Sequence, residues 1–113
     1  MRTAIALSPV LIWLLGCGVP SQRAISALKE QGNLIVAAIE EHIMENGGRP
    51  SSLAELELGA ESLTTRYGPW VYREVVTDRA SGSTCYELSV GDYGRDGFIL
   101  CYSQDRTEWV LDQ

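Results

Sequence analysis

Histidine is almost absent from this 113-residue chain; His42 is the only one. Imidazole base catalysis therefore has a single residue to draw on, and His42 falls beside a helical apolar stripe, where a partly buried packing role is the commoner one. His42 and Glu45 form one i,i+3 pair, which cannot complete a metal site alone. The three cysteines, Cys17, Cys85 and Cys101, include no C-x-x-C spacing, which argues against a dithiol redox centre. Gly-rich phosphate loops, nucleophile elbows and zinc spacings are missing. Basic residues are few, 9 against 15 acidic, for a net charge of −6, and they form no stripe. Such a chain is repelled by phosphate backbones, so no nucleic-acid partner is expected, and it has no polybasic patch to dock on anionic lipid. No apolar run reaches the ~20 residues that span a bilayer. Internal repeats and low-complexity stretches are lacking too, and the length allows one domain.

What is present begins at the start of the chain. Residues 1–17 read MRTAIALSPVLIWLLGC: one Arg, an apolar core from Ala4 to Leu15, then Gly16-Cys17. This is the layout of a secretory signal, and Pro9 would bend it as a helix. Its ending, Leu14-Leu15-Gly16-Cys17, resembles the bacterial lipobox, although Leu15 stands where that motif more often has a small residue. The resemblance implies a signal peptide over 1–16, diacylation of the Cys17 sulfur, and a short lipidated linker over 17–20. Two or more acyl chains would make such an anchor stable. Gly18 follows the cysteine, where Asp favours inner-membrane retention, so for a Gram-negative cell the resemblance leans toward the periplasmic face of the outer membrane. The alternative is an ordinary signal peptide or an uncleaved anchor with a chance cysteine.

The remainder, 21–113, reads as one α+β domain. Ser21 is a helix cap, and Ala24, Ile25, Leu28, Ile35, Ala38, Ile39 and Ile43 recur at three- and four-residue steps. The spacing predicts a helix over 21–46, ended by Asn46-Gly47-Gly48 and Pro50, with Gly32 costing about 1 kcal/mol against Ala. Ser52 and Glu55 have capping-box spacing and predict a second, short helix. From Gly68 the period changes to two. Strands are expected over 70–76, 84–90, 98–102 and 107–111, an antiparallel meander after the helices. Its aromatic set is Trp70, Tyr72, Tyr86, Tyr93, Tyr102 and Trp109; most belong in the core, and any on the outer face would offer a partner-binding patch.

With Cys17 assigned to lipid, Cys85 and Cys101 form an even pair in an oxidising compartment. A hairpin centred on Tyr93 sets Cys85 opposite Cys101, Tyr86 opposite Leu100 and Leu88 opposite Phe98, close to disulfide reach. Such a bond would contribute about 3 kcal/mol; the other reading is two buried free thiols. Within the turn, Asp92 and Asp96 are hard oxygen donors among Gly91, Gly94 and Gly97. Calcium needs six to eight oxygens, and only two carboxylates are evident, so the loop is either a calcium site or a polar hairpin turn.

Three segments together resemble the globular part of type II secretion major pseudopilins and related pilin-like proteins. Ile39 to Leu53, with Glu45-Asn46-Gly47-Gly48-Arg49-Pro50 at its centre, resembles that family's D/E-N-G-x-x-P corner. Gly68-Pro69-Trp70-Val71-Tyr72 resembles its tryptophan entry into the sheet, and Tyr86 to Gly97 its Y-D-L-x-S-x-G-x-D-G segment. The resemblance implies a long N-terminal helix packed on a small antiparallel sheet of 3–4 strands, and a calcium loop at the position of 91–97. The chain departs from the family in having neither a prepilin-peptidase site nor a continuous apolar N-terminal helix, so the likeness implies the fold and not assembly into a pilus. The expectation is a lipid-anchored cell-envelope protein, non-enzymatic, that binds or scaffolds an envelope protein partner, beside a secretion or pilus system. The competing readings are a periplasmic inhibitor or substrate-capture protein, and a small envelope hydrolase.

Overall fold

The structure, a computed structural model, describes residues 20–113. The signal segment, Cys17 and the linker up to residue 19 lie outside the described residues.

Helix α1, Gln22–Asn46, starts where the Ser21 hydroxyl accepts the Ala24 N–H at 3.1 Å. It stops at Gly47, whose φ of 75° sets its N–H on the Ile43 carbonyl at 2.8 Å; a side chain there would be strained. Ile25, Leu28, Gly32, Ile35 and Ile39 recur at three- and four-residue steps and are buried as one line. After the Pro50 corner come two 3₁₀ turns, Leu53–Leu56 and Ala60–Ser62. The first replaces the expected short α-helix. Ser52 makes no side-chain cap, the Glu55 carboxylate instead accepts the Ser51 N–H at 2.6 Å, and Glu57 ends the turn at φ 59°.

Two short strands, β1 (Thr64–Thr65) and β2 (Gly68–Pro69), pair as a small hairpin ahead of the main sheet. The main sheet follows: β3 (Val71–Asp78), β4 (Ser83–Val90), helical turn α2 (Tyr93–Asp96), β5 (Ile99–Ser103) and β6 (Glu108–Asp112). Its order β3-β4-β5-β6 is antiparallel throughout. The architecture is therefore α+β, one long helix on a four-stranded meander.

Because side chains alternate along a strand, the register sorts the sheet into two faces. Tyr72, Leu88, Tyr102 and Trp109 form one cross-strand row against α1. Ile35, Ile39, Tyr86, Leu88, Val90, Phe98 and Leu100 are fully buried between the layers. Each such aliphatic or Phe side chain stabilises by about 1.5–3 kcal/mol relative to exposure.

The β4–β5 register corrects the expected disulfide. Cys101 faces Ser89 and Leu100 faces Val90, four positions from the anticipated Cys85–Cys101 pairing. The anticipated register assumed a tight loop about Tyr93, whereas the chain spends Tyr93–Asp96 on a helical turn closed by Gly97 at φ 80°. An even offset keeps both cysteines on the outer face but separates them by about 13 Å along the strands, beyond disulfide reach. Both thiols are free.

Candidate functional site

The outer face of the sheet lies opposite the row that packs against α1. Its central row is Val71, Ser89, Cys101 and Val110, one small residue from each strand. Below it Arg73 and Glu87 pair at 2.8 Å. Toward the β5–β6 turn this face forms an open groove of about 440 Å³, bounded by Val75, Cys85, Glu87, Cys101, Asp105 and Arg106.

Several groups in the groove bond to one another. The Ser103 hydroxyl donates to Asp105 at 2.5 Å, and the Cys85 sulfur lies 3.8 Å from that hydroxyl and 4.0 Å from Asp105. Burial, assisted by the Glu87 charge, pushes the Cys101 thiol up and keeps it protonated. A protonated thiol is a poor nucleophile.

The 91–97 loop departs from the calcium expectation. Asp92 caps the turn α2, its carboxylate accepting the Arg95 N–H at 3.0 Å. Asp96 accepts the Asp92 N–H at 3.0 Å and the Arg95 guanidinium at 2.8 Å, and that guanidinium holds its carboxyl below the usual range. Arg95 also donates to the Tyr67 carbonyl of the β1–β2 hairpin. Both candidate ligands are thus engaged by protein donors, and among the described residues no group of three or more potential metal ligands converges. The loop is a capped turn that ties two parts of the fold together.

His42 is half-buried on α1, and its ring makes no hydrogen bond among the described residues. The aromatic set falls mostly in the core, as its pattern implies: Trp70 and Tyr86 are buried, and Tyr72, Tyr102 and Trp109 pack against them. Tyr72, Tyr86, Tyr102 and Trp109 all share the helix-facing side, so the outer face carries no aromatic patch. Exposed Tyr93 sits on the α2 turn, where its hydroxyl donates to Asp112.

Two organising residues escaped the sequence reading. Arg49, on the corner after α1, donates to Glu74 at 2.8 Å, to the Thr84 carbonyl at 3.1 Å and to Gln104 at 3.3 Å, pinning the corner to the far end of the sheet. The Tyr72 hydroxyl reinforces it by donating to the Pro50 carbonyl at 2.7 Å. Glu40 accepts the Tyr86 hydroxyl at 2.7 Å, joining α1 to β4. The only local signal at Arg49 was its place between a helix stop and Pro50; its partners lie 25 to 55 residues away.

Comparison with known proteins finds no matching family model, no matching curated protein and no matching solved structure. Among the described residues no helix is long and apolar enough to cross a membrane.

Proposed function

We propose that the protein is a lipid-anchored component of the bacterial cell envelope with a non-enzymatic binding or scaffolding role. The observation that carries this is the spacing between Cys17, at the end of the lipobox-like Leu14-Leu15-Gly16-Cys17, and the capped start of α1. Only Gly18, Val19 and Pro20 separate Cys17 from Ser21. Four residue steps span at most about 14 Å, so acyl chains on Cys17 would hold the first turn of α1 close to the headgroup layer. The Gly18 position favours the periplasmic face of the outer membrane.

The binding role is supported by the structural use of the polar groups in the 91–97 loop and at the corner. Asp92 and Asp96 serve the α2 turn, Arg49 serves the corner, and the Cys101 thiol is held protonated. The helix, corner and meander follow the order that the pseudopilin resemblance implies, which supports a place beside a secretion or pilus system by analogy of fold alone. A second reading, capture of a small substrate or inhibition of an envelope enzyme, is favoured by the outer groove. The test is Cys17→Ser in cells fed labelled palmitate. The anchor reading expects loss of label and release from membranes; continued labelling overturns it.

A further inference from the structure

The two most exposed large apolar side chains of the described residues lie on one helix. Leu34 is 72% and Met44 85% exposed. At 100° per residue they flank the side of α1 directly opposite the buried line of Ile25, Leu28, Gly32, Ile35 and Ile39. Exposed Ala37 lies between them, and Leu34, Ala37, Glu41 and Met44 step by three and four, the spacing a second helix requires.

Glu30, Glu41 and Glu45 share this flank, all exposed and none in an ion pair among the described residues. No Lys or Arg occurs between Lys29 and Arg49. This arrangement works against the helix. Carboxylates in the C-terminal half oppose the helix dipole, the last turn carries no cation, and Glu41 and Glu45 are a like-charge i,i+4 pair. Folding therefore gains nothing from these charges, and burying Leu34 or Met44 within this domain is not available to them.

We infer that the solvent flank of α1, from Glu30 to Glu45, is a docking surface for a basic amphipathic helix of another envelope protein. This deepens the binding reading above and rests on it, but it is independent of the lipid. A partner with apolar residues at three- and four-residue steps would cover Leu34, Ala37 and Met44. Its flanking Lys or Arg would neutralise Glu30, Glu41 and Glu45. Charge selects this occupant over a second copy of the chain, whose α1 would bring the same carboxylates face to face.

The test uses the full chain in zwitterionic nanodiscs and a fluorescent 21-residue helical peptide with Leu at heptad a and d positions and Lys at e and g. A twin peptide carries Glu in place of Lys. The expected result is saturable binding of the Lys peptide above empty discs, weakened about tenfold or more by Leu34→Ser with Met44→Ser, and likewise by joint Glu30→Gln, Glu41→Gln and Glu45→Gln. All five positions are exposed, and circular dichroism confirms that the variants fold. Equal binding of the two peptides, or indifference to both variant sets, overturns the inference. A photocrosslinker at Leu34, Val76 or Val110 in intact envelopes separates the two levels. Crosslinks confined to Val76 and Val110 overturn the α1 surface and keep the binding reading, a crosslinked dimer of this chain overturns the basic partner, and silence at all three positions overturns both.

Discussion

Gly32 of α1 leaves the space that the Trp109 indole fills. A Cβ at Gly32 would come within 2.6 Å of Trp109 Cζ2 and 2.9 Å of Trp70 Cη2. Trp109 cannot easily yield, because its indole N–H donates to Asn33 at 2.9 Å and its ring packs edge-on against Trp70, 5.7 Å between centroids. The glycine that looks like a helix defect in the sequence is the seat of a tryptophan pair joining helix to sheet.

Gly32→Ala tests this directly. Helix propensity alone would favour Ala by about 1 kcal/mol. Overpacking of a filled core costs about 1–3 kcal/mol, and the expected net result is a less stable protein with a shifted tryptophan emission. Urea unfolding monitored by fluorescence checks both; a stabilised variant would contradict the packing account.

The Tyr86–Glu40 bond makes a prediction at high pH. Burial first, and the Glu40 carboxylate second, push the Tyr86 phenol far above its ordinary range. A group whose pKa is raised on folding stabilises the native state below its unfolded pKa, and that stability is lost as pH climbs past about 10. Stability of the native protein should therefore decline above that point, and Tyr86→Phe should lower stability by about 1 kcal/mol at neutral pH while flattening the alkaline decline. Urea midpoints measured from pH 7 to 11 decide it.

At the acid end the sign reverses. Arg95 and the Asp92 N–H hold the Asp96 carboxyl low, so its contribution is present above the unfolded value near 3.9 and disappears as pH falls. Asp96→Asn should remove part of the acid sensitivity and loosen the tie between α2 and the β1–β2 hairpin. Since both carboxylates already have partners, calcium should leave the melting temperature unchanged; a rise with calcium and not with magnesium would restore the loop as a metal site.

The thiols offer a further check. The register expects peptide mapping without reductant to find Cys85 and Cys101 unlinked, both alkylated after denaturation. In the native protein Cys101 should react slowly and buried Cys85 more slowly still. A Cys85–Cys101 peptide would mean that β4 and β5 pair four residues out of the register described.

The helix was legible because its signals are local. Ser21, the line of isoleucines and leucines, and Gly47 each act within one or two turns. The four strands of the main sheet were legible to within two residues for the same reason, whereas β1 and β2 were not. Their pairing was not, because one helical turn at Tyr93–Asp96 moves every partner of β5. A local clue was present in Asp92 capping three residues before Arg95, with Gly97 beyond. Arg49 and Gly32 were opaque on different grounds: each is explained by residues brought near only by the completed sheet, Thr84 and Gln104 for one, Trp70 and Trp109 for the other.

Cys17 is the residue on which the proposed anchor depends. Intact-mass analysis of the protein extracted from membranes, followed by sequencing of its N-terminal peptide, reads that residue directly. The expected species begins at Cys17 and carries the mass of a diacylglyceryl thioether. A soluble polypeptide that still begins at Met1, with an unmodified Cys17 thiol, would contradict it.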